Sequence, residues 1–180
     1  SKLALLTGDE TGFKVINTIS HSELNQRVIN DYKKGIAAIR FRPRPEEFPV
    51  RETEILALVG KDSPNVLIGN TNGQLIKTLP HQRSVTTLAW SPDGRYLVTS
   101  SSSEAPSNTD MQATTLSGST IQVWQVSSGA GGSLQFQPML SPWQVQESIV
   151  SAKFISAPMA YDLLLIGKNG SHEVRTLEGI

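Results

Sequence analysis

Three stretches of this 180-residue chain can be laid under one another: GIAAIRF (residues 35–41), SVTTLAW (84–90) and SIVSAKF (148–154). Each opens on a β-branched residue: Ile36, Val85, and either Ile149 or Val150. Each carries an aliphatic residue or alanine in the middle (Ile39, Leu88, Ala152) and closes on an aromatic one. Those aromatics, Phe41, Trp90 and Phe154, lie 49 and 64 residues apart. A polar connection follows each, then a second apolar run (EILALV, RYLVTS, DLLLIG) and, after a turn, a third (NVLIGN, TIQVWQV, HEVRTL). Two copies add a fourth, QLIKTL and SLQFQPML. Short runs rich in β-branched and aromatic residues, bounded by Gly, Pro, Asn and Asp, read as strands.

A four-stranded antiparallel sheet with two apolar faces cannot bury both by itself. Stacking copies face to face buries them, and radial stacking leaves only short edges. The expected fold class is therefore all-β, a β-propeller of four-stranded antiparallel blades. The natural period of such a unit is about 40–45 residues. The longer offsets follow from insertions at 42–53, 101–118 and 127–133. Counting copies gives a partial blade at 1–32, a blade at 33–79, a blade at 80–140 with a long insertion at 101–119, and an incomplete blade at 141–180. Asn72-Gly73, Pro92-Asp93-Gly94 and Asn169-Gly170 supply turn residues, two of them Asn-Gly pairs suited to tight hairpins. The only helix candidate is 21–32, with Leu24, Val28 and Tyr32 at helical spacing; its RVINDY segment reads equally as a strand.

Composition narrows the function classes. Sixteen basic and 16 acidic side chains cancel, so no overall field draws the chain to nucleic acid or an anionic membrane. The absence of cysteine excludes disulfides, thiolate metal sites and a cysteine nucleophile. No apolar run approaches the roughly 20 residues of a membrane-spanning helix. The first residues lack the pattern of a signal peptide and read as strand and turn already under way, which suggests a piece of a longer chain.

The copy at 84–126 resembles the WD-repeat β-propeller family. His81 stands before its first strand; Trp90-Ser91-Pro92-Asp93-Gly94 matches the aromatic-Ser-Pro-Asp-Gly knuckle; Thr99 and Ser100 supply hydroxyls at the end of the second strand; Ile121-Gln122-Val123-Trp124-Gln125 matches the third strand except at its last position. The resemblance implies structural roles for Trp90, Asp93, Gly94 and Trp124. It also implies a hydrogen-bonded set of His, Ser or Thr, Trp and a turn Asp. Gly118 or Ser119 stands where that Asp belongs, so the full set is not expected to close. Rings of this family usually have seven blades, so the remaining blades are expected in the same or another chain. A non-catalytic interaction scaffold is implied, a subunit of a multiprotein complex in the cytoplasm or nucleus that binds a peptide or partner domain through its loops.

Candidate functional residues follow from placement. The histidines His21, His81 and His172 form neither a metal pair nor a triad, and no phosphate loop, GxSxG or HExxH is present, so neither enzyme activity nor a cofactor is expected. His81, Gln82, Arg83 and Trp143, with the 101–119 loop, are expected to share one rim and bind a partner, aromatics being enriched at binding hot spots. His81 reads equally as a structural hydrogen-bonding residue, and Trp143, placed in the connection before the last blade, as a cap on a blade edge. Arg40, Arg42 and Arg44 alternate and share one face in extended geometry, a candidate site for phosphate or a lipid head group; Glu46 and Glu47 make it read equally as a solvated loop. Pro43, Pro45 and Pro49 read as a stiff surface loop. The Ser-Pro-Asp-Gly knuckle also occurs in propellers attached to hydrolases or periplasmic transport proteins, which gives an alternative reading.

Overall fold

The computed structural model describes residues 4–9, 12–17, 23–28, 36–43, 55–70, 74–102, 118–129, 133–157 and 160–177. Among them there are fifteen strands in four antiparallel sheets, and no helix. Hence no helix there is long and apolar enough to cross a membrane. The first sheet is a meander of β1 (Ala4–Asp9), β2 (Gly12–Asn17) and β3 (Glu23–Val28). A strand and not a helix forms at 23–28, where β3 pairs with β2; residues 21–22 and 29–32 of the helix candidate lie outside the described residues. The second sheet is β4 (Ile36–Phe41), β5 (Ile55–Gly60), β6 (Asn65–Asn70) and β7 (Leu75–Pro80), in that order. The third runs β8 (Val85–Trp90), β9 (Tyr96–Ser102), β10 (Ser119–Ser128), β11 (Leu134–Pro138). The fourth is β13 (Ile149–Ala157), β14 (Ala160–Gly167) and β15 (His172–Leu177).

The repeat is visible in the register. Ile36 pairs with Gly60, Val85 with Ser101 and Ile149 with Gly167; at the far end Phe41 pairs with Leu56, Trp90 with Leu97 and Phe154 with Leu163. Between these pairs each first strand shifts by one residue, at 37, 86 and 150. A bulge inserts one unpaired residue and strengthens local twist. Its recurrence at one place settles the opening residue of the third copy as Ile149, with Val150 the extra one.

Period-two alternation assigns each residue to a face. Ala57, Val59, Val66 and Ile68 of the second sheet pack against Val85, Leu88, Trp90, Leu97 and Trp124 of the third. Tyr96, Val98, Ile121 and Val123, on the other face of the third sheet, meet Ile149, Phe154, Leu163, Leu165 and Leu177 of the fourth. Leu56 and Leu58 turn away from the third sheet and pack with Ile36, Ile39 and Phe41. The core is thus a series of layers between blades.

The outer strand of the third sheet is broken. β11 pairs with the second half of β10, and β12 (Trp143–Val145) pairs with the first, Trp143 opposite Ile121. Trp143 therefore does not sit in the connection before the last blade; it lies in a strand of the preceding sheet. Pairing with β10 is available because β10 extends over ten residues and β11 covers only part of its edge.

Candidate interaction site

The turns at one end of the sheets form a continuous rim. The His81 and Val85 amides donate to the carbonyls of Pro64 and Ser63 (both 2.8 Å), tying this connection to the β5–β6 turn. The Ser102 and Lys168 amides donate to the carbonyls of Ser84 and Ser148 (both 2.9 Å), the same bond one blade on. Between the third and fourth sheets the tie passes through side chains. The Ile149 amide donates to Ser119 Oγ (2.8 Å), and the Thr86 hydroxyl lies 3.1 Å from the Ile149 carbonyl. The bulge residue Thr86 thus faces the next blade, a role its exposed position in the strand pattern did not reveal. Gln82 and Arg83 are exposed on this rim. Along the same rim, at the fourth sheet, opens a polar cleft of about 760 Å³, walled by Gln144, Gln146, Glu147, Lys168, Asn169 and Glu173. The Glu147 carboxylate accepts from the Asn169 amide (3.2 Å) and the Ser171 hydroxyl, so the β14–β15 turn is held against the connection before β13.

His81 is half-buried and points inward from the rim, where three side chains meet. His81 Nδ1 is 3.1 Å from the Leu79 carbonyl and Nε2 is 2.8 Å from Thr99 Oγ1, while Trp124 Nε1–H donates to the same oxygen at 3.2 Å. The imidazole meets the indole edge-on, with ring centroids 5.9 Å apart. A carbonyl only accepts, so Nδ1 carries the proton. Burial lowers the His81 pKa from its ordinary 6.5, outweighing the bonds to the Leu79 and Pro64 carbonyls. In the neutral ring Nε2 is then bare and accepts the Thr99 proton. Three members of the expected set therefore assemble, and the Leu79 carbonyl holds Nδ1. Ser119, near the place expected for the Asp, is spent on Ile149.

In register, the counterparts of Thr99 and Trp124 are Leu165 and Arg175 in the fourth sheet, and Leu58 and Gly69 in the second. Neither the second nor the fourth sheet repeats the Thr99–Trp124 pair at these positions, where Leu58 and Leu165 stand in place of the threonine. Because the folded His81 binds its proton less readily than the unfolded one, its contribution to stability is full above pH 6.5 and is lost as the pH falls below that value. The urea midpoint of the native protein should drop between pH 7.5 and pH 5 by more than that of His81→Gln. Equal drops would show that His81 is not buried as described.

The knuckle lies on the opposite rim. Ser91 Oγ–H donates to Asp93 Oδ1 (2.6 Å), the Arg95 amide donates to the same oxygen (3.0 Å), and the Tyr96 amide donates to Ser91 Oγ (2.9 Å). Two neighbouring blades reach it. Arg42 Nε–H donates to the Gly94 carbonyl (2.7 Å) and Trp90 Nε1–H to the Arg40 carbonyl (3.3 Å). From the other side the Tyr161 hydroxyl donates to the Asp93 carboxylate. Burial by itself raises the Asp93 pKa, but bonds from Ser91, Tyr161 and the Arg95 amide, with the Arg95 charge, outweigh it and hold the carboxyl below its ordinary value. Burial and the adjacent carboxylate push the Tyr161 phenol up to about 12.

The sequence candidates therefore separate. His81, Gln82 and Arg83 share a rim, whereas Trp90, Asp93 and Gly94 stand at the other. Arg40 is exposed and its Nη1 donates to the Ile39 carbonyl (2.8 Å). Arg42 is half-buried against the knuckle, and burial lowers its pKa despite the nearby Asp93. Arg44, His21, Asn72-Gly73, the proline-rich stretch beyond Pro43 and 103–117 of the long insertion lie outside the described residues. Trp143 is half-buried against the third and fourth sheets, with the Arg175 guanidinium 4.6 Å from its ring centroid. Among the described residues no three His, Asp or Glu side chains gather as metal ligands. Tyr161, Thr86, Ser119 and Glu147 were not legible as contact residues, because each acts on a partner in another strand or turn, far along the chain.

No curated protein matches the chain. The family model described as WD domain, G-beta repeat, matches residues 73–105, a stretch that contains His81, the knuckle and Thr99. The chain thus carries a WD repeat in one sheet, with further antiparallel sheets stacked on both sides of it, an all-β arrangement consistent with a partial WD-repeat propeller.

Proposed function

We propose that this chain is a non-catalytic interaction scaffold, a subunit of a multiprotein complex, and that a peptide or partner domain docks on the rim carrying His81, Gln82 and Arg83. WD repeats generally mediate protein–protein interactions. The observation that carries the choice of rim is the cleft beside Glu147, which opens next to exposed turns on a rigid hydrogen-bonded frame. Rigid scaffolds bind through loop side chains, because such a scaffold places them without ordering cost. The opposite rim spends its polar groups on the knuckle. The same reading places the protein in the cytoplasm or nucleus.

A photo-crosslinking residue at Gln82, Arg83 or Gln146, introduced in cells, should capture one and the same partner, and at Arg95 none. Capture only at Arg95 would move the site to the other rim. Capture at no position would end the scaffold reading.

A further inference from the structure

We infer that Asn169 is a self-modification site, at which the Gly170 nitrogen displaces the side-chain amide and leaves an aspartate or isoaspartate. Asn169-Gly170 stands at the tip of the β14–β15 hairpin between Lys168 and Ser171, and all four residues are exposed. The Ser171 amide donates to Asn169 Oδ1 (2.7 Å). This Asx turn folds the carboxamide back over the peptide that follows it, and the bond draws electron density from the carboxamide carbon. Gly170 brings no Cβ to obstruct the approach. Nothing lies within 4 Å of where one would stand, and its φ of 88° is one that glycine adopts freely. The two reacting groups are thus neighbours held on one turn, the arrangement that favours an intramolecular step.

The Gly170 N–H donates to the Gly167 carbonyl (3.0 Å), and that bond has to open first. It closes an exposed hairpin tip, where local opening costs little. The nitrogen then loses its proton to hydroxide and bonds to Asn169 Cγ. The C–N bond of the carboxamide breaks, and its nitrogen leaves as ammonia with a proton from water. Water opens the resulting cyclic imide at one carbonyl or the other. One opening gives aspartate; the other gives isoaspartate, in which the chain runs through the former side chain. No group on the protein is oxidised or reduced.

The product acts on Glu147. The Asn169 amide donates to one oxygen of that carboxylate (3.2 Å) and the Ser171 hydroxyl to the other. The carboxylate lies so close over Gly167 that a Cβ there would overlap it. A new carboxylate at residue 169 sets like charge beside it, and isoaspartate also lengthens the backbone of the turn. Either product loosens the turn from the connection before β13. Lys168 and Asn169 wall the polar cleft, so the chemistry reshapes that part of the rim with time and alkalinity.

Native protein held at mildly alkaline pH, quenched in acid at intervals, and mapped by pepsin digestion and mass spectrometry tests this. Residue 169 should convert from amide to acid, as a mixture of Asp and isoAsp peptides, at a rate that rises with hydroxide. Asn65 and Asn70, followed by Val66 and Thr71, should stay intact. Gly170→Ala should slow the conversion on the order of tenfold, because the methyl hinders attack and strains the turn. Asn169→Asp should let trypsin cut after Lys168 faster than in the native chain, and Glu147→Gln added to it should restore the native rate. An Asn169 that survives in the native chain while converting in urea shows that the turn protects it and overturns the proposal, as does survival in both. Conversion indifferent to Gly170→Ala overturns the assigned nucleophile. Trypsin cleavage unmoved by Asn169→Asp, or not restored by Glu147→Gln, overturns the loosening of the turn.

Discussion

Trp124→Ala should lower the unfolding free energy by about 3–5 kcal/mol, the range for removing a buried tryptophan. The indole is 9 % exposed and lies in the layer between the second and third sheets, among Leu79, Leu88, Leu97 and Phe136. Its loss empties space that two stacked sheets cannot close without shifting against each other. It also removes the N–H that donates to Thr99 and the edge that meets the His81 ring. Trp124→Phe keeps most of the apolar contact and gives up the N–H, so it should cost less. Urea unfolding measures both, the loss appearing as a lower midpoint at similar slope. A loss below about 1 kcal/mol for the alanine variant would mean that this layer is not packed as described. Domains are stable by only about 5–15 kcal/mol, so the alanine variant is expected near the edge of folding.

That layer was largely legible in the sequence. Alternation identified the first strands, and the aromatics closing them, Phe41, Trp90 and Phe154, occupy paired positions at the same end of their sheets. His81, Thr99 and Trp124 were recognisable because their chemistry and order are distinctive. The bulge was not, because its extra residues are Ala37, Thr86 and Val150, which share no side-chain property. The displaced strand at Trp143 was hidden for a related reason: a three-residue pairing leaves no period to detect. Arg42 shows the limit most clearly. Alternation with Arg40 and Arg44 suggested a shared basic face, but a charged side chain at a strand end also reaches whatever packs beside it. Here that is the Gly94 carbonyl of the next blade, 52 residues away in sequence. Local patterns report which face a residue takes, and not which distant backbone atom will be there.

Gly94 is where that distant contact becomes a sequence requirement, and Gly94→Ala should destabilise the protein far more than Gly170→Ala. Both glycines have left-handed backbone, with φ of 69° and 88°, so an alanine at either place meets conformational strain of about 1–3 kcal/mol. At Gly170 nothing lies within 4 Å of the added carbon, and the strain is the whole cost. At Gly94 the added carbon would overlap the Pro43 carbonyl oxygen and come within 3.2 Å of Arg42 Cγ. The obstruction is backbone of the neighbouring blade, which cannot rotate away as a side chain can. Either the knuckle withdraws, loosening Asp93 from Tyr161, or residues 42–43 withdraw and the Arg42 bond to the Gly94 carbonyl opens. Each course separates blades that the knuckle now joins, so the loss should exceed that of Gly170→Ala by about 1–3 kcal/mol, the cost of leaving a buried polar group without its partner. Thermal unfolding of the two variants side by side makes the comparison. Equal losses would mean that the knuckle and the second sheet do not touch, and the inter-blade role assigned to Arg42 would fall with that contact.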